Sequence, residues 1–240
     1  MRWNLFVSLL AVLVFVVPSQ GAIALVNHTW NGAPTNVTTT AMNCSGANLA
    51  TIVVVDFNQD ATSGTMTSNP SNTWHALTNS TDGGTNDTAV WYAEGLSANS
   101  TMTFTYSGGS FPAIFVACWS GAKSSSAFDQ QNQNFGTPPL TTGSVTPSEN
   151  NELVIAGVTT AQATETFSID GGFTKTDESP LVAATNEGGA MAYLIQTTAT
   201  IADPVWTLAN STGSAAAIAT FKAAAASTYV ANPTVIVVGP

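Results

Sequence analysis

The sequence predicts an all-β chain folded as a jelly-roll-like β-sandwich, and three observations carry that expectation. Its apolar runs are short, rich in Val, Ile, Thr and aromatic residues, and bounded by Gly, Asn, Ser or Pro, the pattern of strands joined by turns. No stretch of helical period reaches a useful length before Lys222, and even Ala215–Ala219 continues into Thr220 and Phe221 as a buried strand does. Sliding the chain against itself sets Leu49 over Leu153, Ala89 and Tyr92 over Ala190 and Tyr193, and Ala113 and Ile114 over Ala217 and Ile218, at offsets of 101–104 residues. A duplicated unit of about 100 residues follows, expected as two pseudo-repeated, interleaved Greek-key halves of one sandwich.

The elements run in order from a leader. Residues 1–21 begin with Arg2, pass through the apolar stretch Leu5–Val17 and end in Pro18, Ser19, Gln20 and Gly21. That is the composition of a secretory signal peptide, with cleavage after Gly21 or after Ala24. The stretch is shorter than the ~20 residues of a membrane span, and no later segment approaches that length. The exported chain reads as one β-sandwich domain over 22–222. Its strands are expected near 22–27, 35–41, 49–56, 73–78, 88–94, 101–106, 112–119, 140–146, 152–159, 164–169, 189–196, 203–208 and 214–222. In the strand 88–94, Trp91 and Tyr92 are adjacent and must face opposite sides of the sheet. A small, featureless linker, 223–228, leads to an extension at 229–240.

Four basic against fourteen acidic side chains give a net charge of -10. Loss of the leader with Arg2 leaves Lys123, Lys175 and Lys222, too few to displace counterions from a nucleic acid. His28, beside Trp30, and His75, beside Trp74, have no Ser, Cys or second His at a catalytic spacing. Asp56, Asp60, Glu94, Glu149 and Glu152 are scattered, with nothing to select a pair for glycoside hydrolysis. The expectation is a protein without enzymatic activity or cofactor. Asp56, Asn58 and Asp60 place alternate oxygen ligands after a strand. Ala61, however, stands where a helical-hand calcium loop requires Gly, and Thr67 where it requires a bidentate Glu, so this is a weak calcium candidate beside the simpler reading of a solvated turn.

Export makes Cys44 and Cys118 a candidate disulfide, the alternative being two separate buried thiols. Seven Asn-x-Ser/Thr sequons, at Asn27, Asn36, Asn43, Asn79, Asn86, Asn99 and Asn210, are glycosylation candidates on a surface nearly free of charge. Trp30, in a polar turn, and Trp206 are the candidate sugar platforms, with core packing as the alternative for each.

The extension carries "TYVANPTVIVVGP". Val235, Ile236, Val237 and Val238 are uniformly apolar, so both faces of a strand there require burial, and together with Tyr229 and Val230 they form a segment of roughly 30 Å when extended. Two fates satisfy it: folding back on its own sheet, or donation to an edge of the next molecule, which head to tail builds a filament.

The ordered set "ANLATIVVVDF", "NTWHAL", "TAVWYAEGL", "TMTFTYSGG", "AIFVACWSGA", "NELVIAGV" and "AAIATFKA" resembles a jelly-roll-like β-sandwich module of secreted, mostly bacterial and environmental proteins, over about residues 22–222. The resemblance implies fold and secretion and transfers no catalytic residue. Where such modules often carry an acid and Tyr before Ser-Gly, this chain has Cys118 and Trp119. The functional expectation is a secreted structural subunit that associates with copies of itself through its C-terminal strand. The alternative is a carbohydrate-binding or adhesion module with glycans as partners.

Overall fold

A computed structural model describes residues 22–57, 60–83, 85–97 and 101–225, so the leader and the C-terminal extension with its candidate assembly residues lie outside the described residues. The fold is all-β and antiparallel throughout its named strands.

The first half builds a large sheet from β1 (Ala24–Gly32), β10 (Ala113–Ser120), β4 (Leu49–Phe57), β8 (Asn86–Glu94) and β6 (His75–Ala76) in that spatial order, with β7 (Ser80–Thr81) also on β8. A smaller sheet centres on β9 (Thr101–Ser107), flanked by β2 (Asn36–Thr38) and β3 (Met42–Asn43) on one side and β5 (Thr65–Asn69) on the other. The second half repeats the plan. Its large sheet runs β11 (Phe128–Gly136), β18 (Ser214–Phe221), β13 (Glu152–Thr160), β16 (Gly188–Gln196), β15 (Thr174–Ser179), and its small sheet runs β12 (Leu140–Thr141), β17 (Val205–Leu208), β14 (Phe167–Ile169). Every strand of the second half's order has its counterpart in the first, so the duplication is structural.

The halves are not interleaved: each named sheet draws its strands from one half only. The reason lies in the two central strands, β4 and β13, whose continuous apolar runs are buried on both faces. Ala50, Ile52 and Val54 face the small sheet of their own half, against Met102, Phe104 and Tyr106. Leu49, Val53 and Val55 face the other way and meet Leu153 and Ile155 of β13. Ala156 and Val158 then face Trp206, Leu208 and Phe167 of the second small sheet. Four layers result, with the two large sheets back to back in the middle. Equivalent faces meet, so the halves are related as the subunits of an isologous dimer are.

Small residues set how closely the central layers approach. A Cβ on Gly157 would lie 2.5 Å from Cγ1 of Val53, and one on Gly189 would lie 2.8 Å from Cγ1 of Val55. Trp119 fills the space beside them, donating Nε1–H to Thr51 Oγ1 at 2.8 Å and standing edge-on to Tyr193. Trp91 and Tyr92 do face opposite sides, and both are packed: Trp91 donates to the Ala61 carbonyl on the small-sheet side, and Tyr92 stacks on Phe128 of the other half.

Cys44 and Cys118 form a disulfide that ties the end of β3 to β10 across a separation of 74 residues. Its counterpart positions in the second half hold no cysteine. Replacing both cysteines by alanine should lower the unfolding free energy by roughly 4 kcal/mol, the loop-closure contribution for a loop of this length. A loss below about 1 kcal/mol in denaturant titration would show that the small sheet of the first half is held by packing alone.

Candidate functional site

The chain ends of the two halves meet at one place, beside two exposed sheet edges. β1 and β11 open their halves, and each lies at the outer end of its large sheet against the strand that closes the same half, β10 or β18. Neither is deeply buried, because each has a partner on one side only. β1 is held by Trp30, stacked on Phe115 at 6.1 Å, by Asn31 Nδ2, donating to the Thr38 carbonyl at 2.7 Å, and by a 2.8 Å contact between His28 Nδ1 and Asp177 Oδ2 of β15. β11 is held by polar bonds: Gln131 Oε1 accepts from Thr78 N–H, and the main-chain carbonyl of Asn134 accepts from the Ser80 hydroxyl.

Just after β10 and just after β18 the chain segments run against each other. Ala122 and Ala223 form an antiparallel bridge, Lys123 N–H donates to the Lys222 carbonyl at 2.9 Å, and Ala224 N–H donates to the Gly121 carbonyl at 2.8 Å. These last two bonds are symmetry mates about the bridge. From there residues 123–127 lead to β11 at the edge of β18. Residues 223–225 lie against Gly121, whose Cβ would fall 2.2 Å from the Ala22 carbonyl oxygen, at the start of β1.

A group of buried acids sits elsewhere, at the ends of β4, β8 and β16. Asp56 and Asp87 are register partners on adjacent strands. Asp56 Oδ1 accepts from Phe57 and Ser110 N–H, while its Oδ2 has no partner among the described residues. Burial, with the charge of Asp87 adding, pushes Asp56 up to about 7. Burial also raises Asp87, against the amide bond it accepts from Asn79. Glu187 is 0% exposed, packs near Phe57, Phe111, Leu181 and Val182, and has neither carboxyl oxygen partnered among the described residues. Burial and then the negative charges of Asp56, Asp82 and Asp87 push it up to about 9. With such a value the Glu187 carboxyl is neutral at pH 7, which is how an unpaired acid is tolerated inside a fold.

Among the described residues no group of three His, Cys, Asp or Glu side chains is placed to hold an ion. Asp60 is exposed and caps Thr62, Asp56 is buried, and Asn58 lies outside the described residues, so the calcium pattern is not assembled by Asp56 and Asp60. The two sugar platforms divide. Trp30 is 39% exposed, whereas Trp206 is 0% exposed and forms the centre of the second small-sheet core, which corrects its reading as a platform. Asn86 is 3% exposed and its amide donates to Asp82, so the folded chain cannot carry a sugar there. Asn36, Asn43 and Asn210 are exposed, Asn27 and Asn79 are half-buried, and Asn99 lies outside the described residues.

Sequence reasoning missed β3, β5, β7, β11, β15 and Glu187, and it placed Trp30 in a turn after a strand ending at 27, where β1 instead runs to Gly32 through Trp30. β11 reads "FDQQNQNFG" and lacks the apolar alternation of a strand because only one edge and part of one face are covered; its offset of 104 residues from β1 was the signal that could have found it. No protein-family model, no curated protein and no solved structure matches the chain. Among the described residues no helix is long and apolar enough to cross a membrane.

Proposed function

We propose that this protein is a secreted, non-catalytic structural subunit whose residues 229–238 are donated as a strand to another copy, building an extracellular filament or surface layer. The observation that carries the reading is the completeness of the duplication. By Phe221 each half has a large and a small sheet, and the edge positions held by β1 and β11 are both already filled from the described residues, so the apolar segment that follows finds no unfilled edge of that kind. A strand apolar on both faces needs partners for its side chains and its backbone, and an exposed sheet edge supplies both. The disulfide fits an oxidising compartment, and a surface rich in hydroxyls and amides fits a particle that packs among its own kind. The alternative, glycan binding, retains Trp30 but loses Trp206.

The test is removal of residues 226–240 from the exported chain. Negative-stain microscopy and size-exclusion chromatography should show polymers for the intact chain and a folded, soluble monomer for the shortened one. Equal polymerisation of both overturns the reading, as does an intact chain that stays monomeric.

A further inference from the structure

We infer that the C-terminal segment is a third copy of the strand represented by β1 and β11, and that the place it fits is the edge of β10 now filled by β1. The inference rests on the proposed strand donation and names its acceptor. Four observations support it.

The first is spacing. Seven residues, 121–127, separate the end of β10 from the start of β11, and nine, 222–230, separate the end of β18 from Ala231, the residue that falls on Phe128 when Gly239 is aligned on Gly136. The second is punctuation. β1 ends on Gly32 before Ala33-Pro34, β11 ends on Gly136 before Thr137-Pro138, and the C-terminal segment ends on Gly239 before Pro240, at intervals of 104 and 103 residues.

The third concerns Pro233, the one residue of the segment that a strand ladder resists. Aligned on the three glycines, Pro233 falls on Val26 of β1 and Gln130 of β11. Both are bulge residues: the register of β1 passes from Leu25 to Asn27, and that of β11 from Phe128 to Gln131. Gln130 N–H donates to a side chain, the Thr220 hydroxyl. A bulge on an edge strand is where proline costs least.

The fourth is the path. The connectors 121–127 and 222–230 start as two-fold mates through the Ala122–Ala223 bridge, and the first leads to the edge of β18. The same operation carries the second to the edge of β10, where residues 223–225 already lie against Gly121 at the start of β1. The molecule therefore has two such edges and three strands made for them. β11 is tethered at both ends between β10 and β12, so β1 is the strand that can be exchanged. In its place the register sets Ile236 opposite Val116, Val237 opposite Phe115 and Val235 opposite Ala117. Apolar side chains would then stand where β1 has Thr29, Trp30 and His28.

A photo-crosslinking residue at position 236 of the otherwise intact exported chain tests this, in assemblies made from isotopically light and heavy copies. Crosslinks to residues 113–120 between light and heavy copies are the expected result. Crosslinks between copies to β18, β11, β15 or any other strand overturn the β10 assignment while leaving strand donation standing. Crosslinks to 113–120 within one copy keep the assignment and overturn donation of this strand. A second measurement reads the register. Exchanging Pro233 and Thr234 moves the proline to the position opposite Cys118, inside the ladder, and should reduce polymer yield about ten-fold or more, whereas Pro233→Val leaves it unchanged. Equal yields from the exchanged and native sequences overturn the register.

Discussion

Gly157→Val should strongly destabilise this fold, because it drives a branched side chain into the plane where the two halves meet. Gly157 lies mid-strand in β13, opposite Met191 on one side and Ala217 on the other, and its missing Cβ leaves the room that Val53 occupies. Neither strand can retreat: β13 is held between β16 and β18, and β4 between β8 and β10. Overpacking a closed core costs about 1–3 kcal/mol for small insertions, and a valine here should reach about 3 kcal/mol or more. The check is a double-mutant cycle by denaturant unfolding. Val53→Ala alone should destabilise, yet Val53→Ala combined with Gly157→Ala should be more stable than the sum of the two single losses predicts. Additive losses would mean that the interface between the halves accommodates the extra volume elsewhere.

The second large effect is a stability that falls as pH rises. Asp56 moves from an ordinary value of 3.8 to about 7 on folding, and Glu187 from 4.5 to about 9, both chiefly through burial. For each, the folded state holds its proton after the unfolded chain has released it. Stability is thus full below about pH 4, declines as the unfolded chain ionises between about pH 4 and 9, and levels off once the folded carboxyls have titrated. Asp87 and Glu152, also raised by burial, act in the same direction. Asp129, lowered mainly by its bonds from Lys222 and Ser148, acts in the opposite direction, its contribution being lost at the acid end. Unfolding midpoints should therefore be higher at pH 5 than at pH 8, by several kcal/mol in unfolding free energy as an order of magnitude. Glu187→Gln, which keeps the shape and removes the ionisation, should raise stability at pH 8 and flatten the profile. A wild-type profile with its maximum above pH 7, or a variant as pH-dependent as the native chain, would contradict this account.

Most strands were legible because their residues are half or fully buried and alternate or cluster accordingly. The runs 49–56, 112–119, 152–159 and 214–222 lie within one or two residues of β4, β10, β13 and β18, the four strands that form the middle of the molecule. The duplication was legible for the same reason: equivalent strands meet equivalent neighbours, so Leu49 and Leu153 carry the same side chain into the same interface. β11 and β15 were not legible. They are edge strands whose side chains face solvent or another strand's polar groups, and Gln131, Asn134 and Asp177 keep their conformation through hydrogen bonds that sequence spacing does not encode.

The sequence by itself determined an all-β chain, its repeat and the pairing of its two cysteines as a candidate, because alternation, turn residues and internal likeness are local quantities. Tertiary structure alone decided that the halves stack through their large sheets instead of interleaving, that Trp206 is core, and that Glu187 lies buried among like charges. Those outcomes depend on which buried face meets which, and two strands apolar on both faces, β4 and β13, can satisfy that requirement only when a second sheet covers each side.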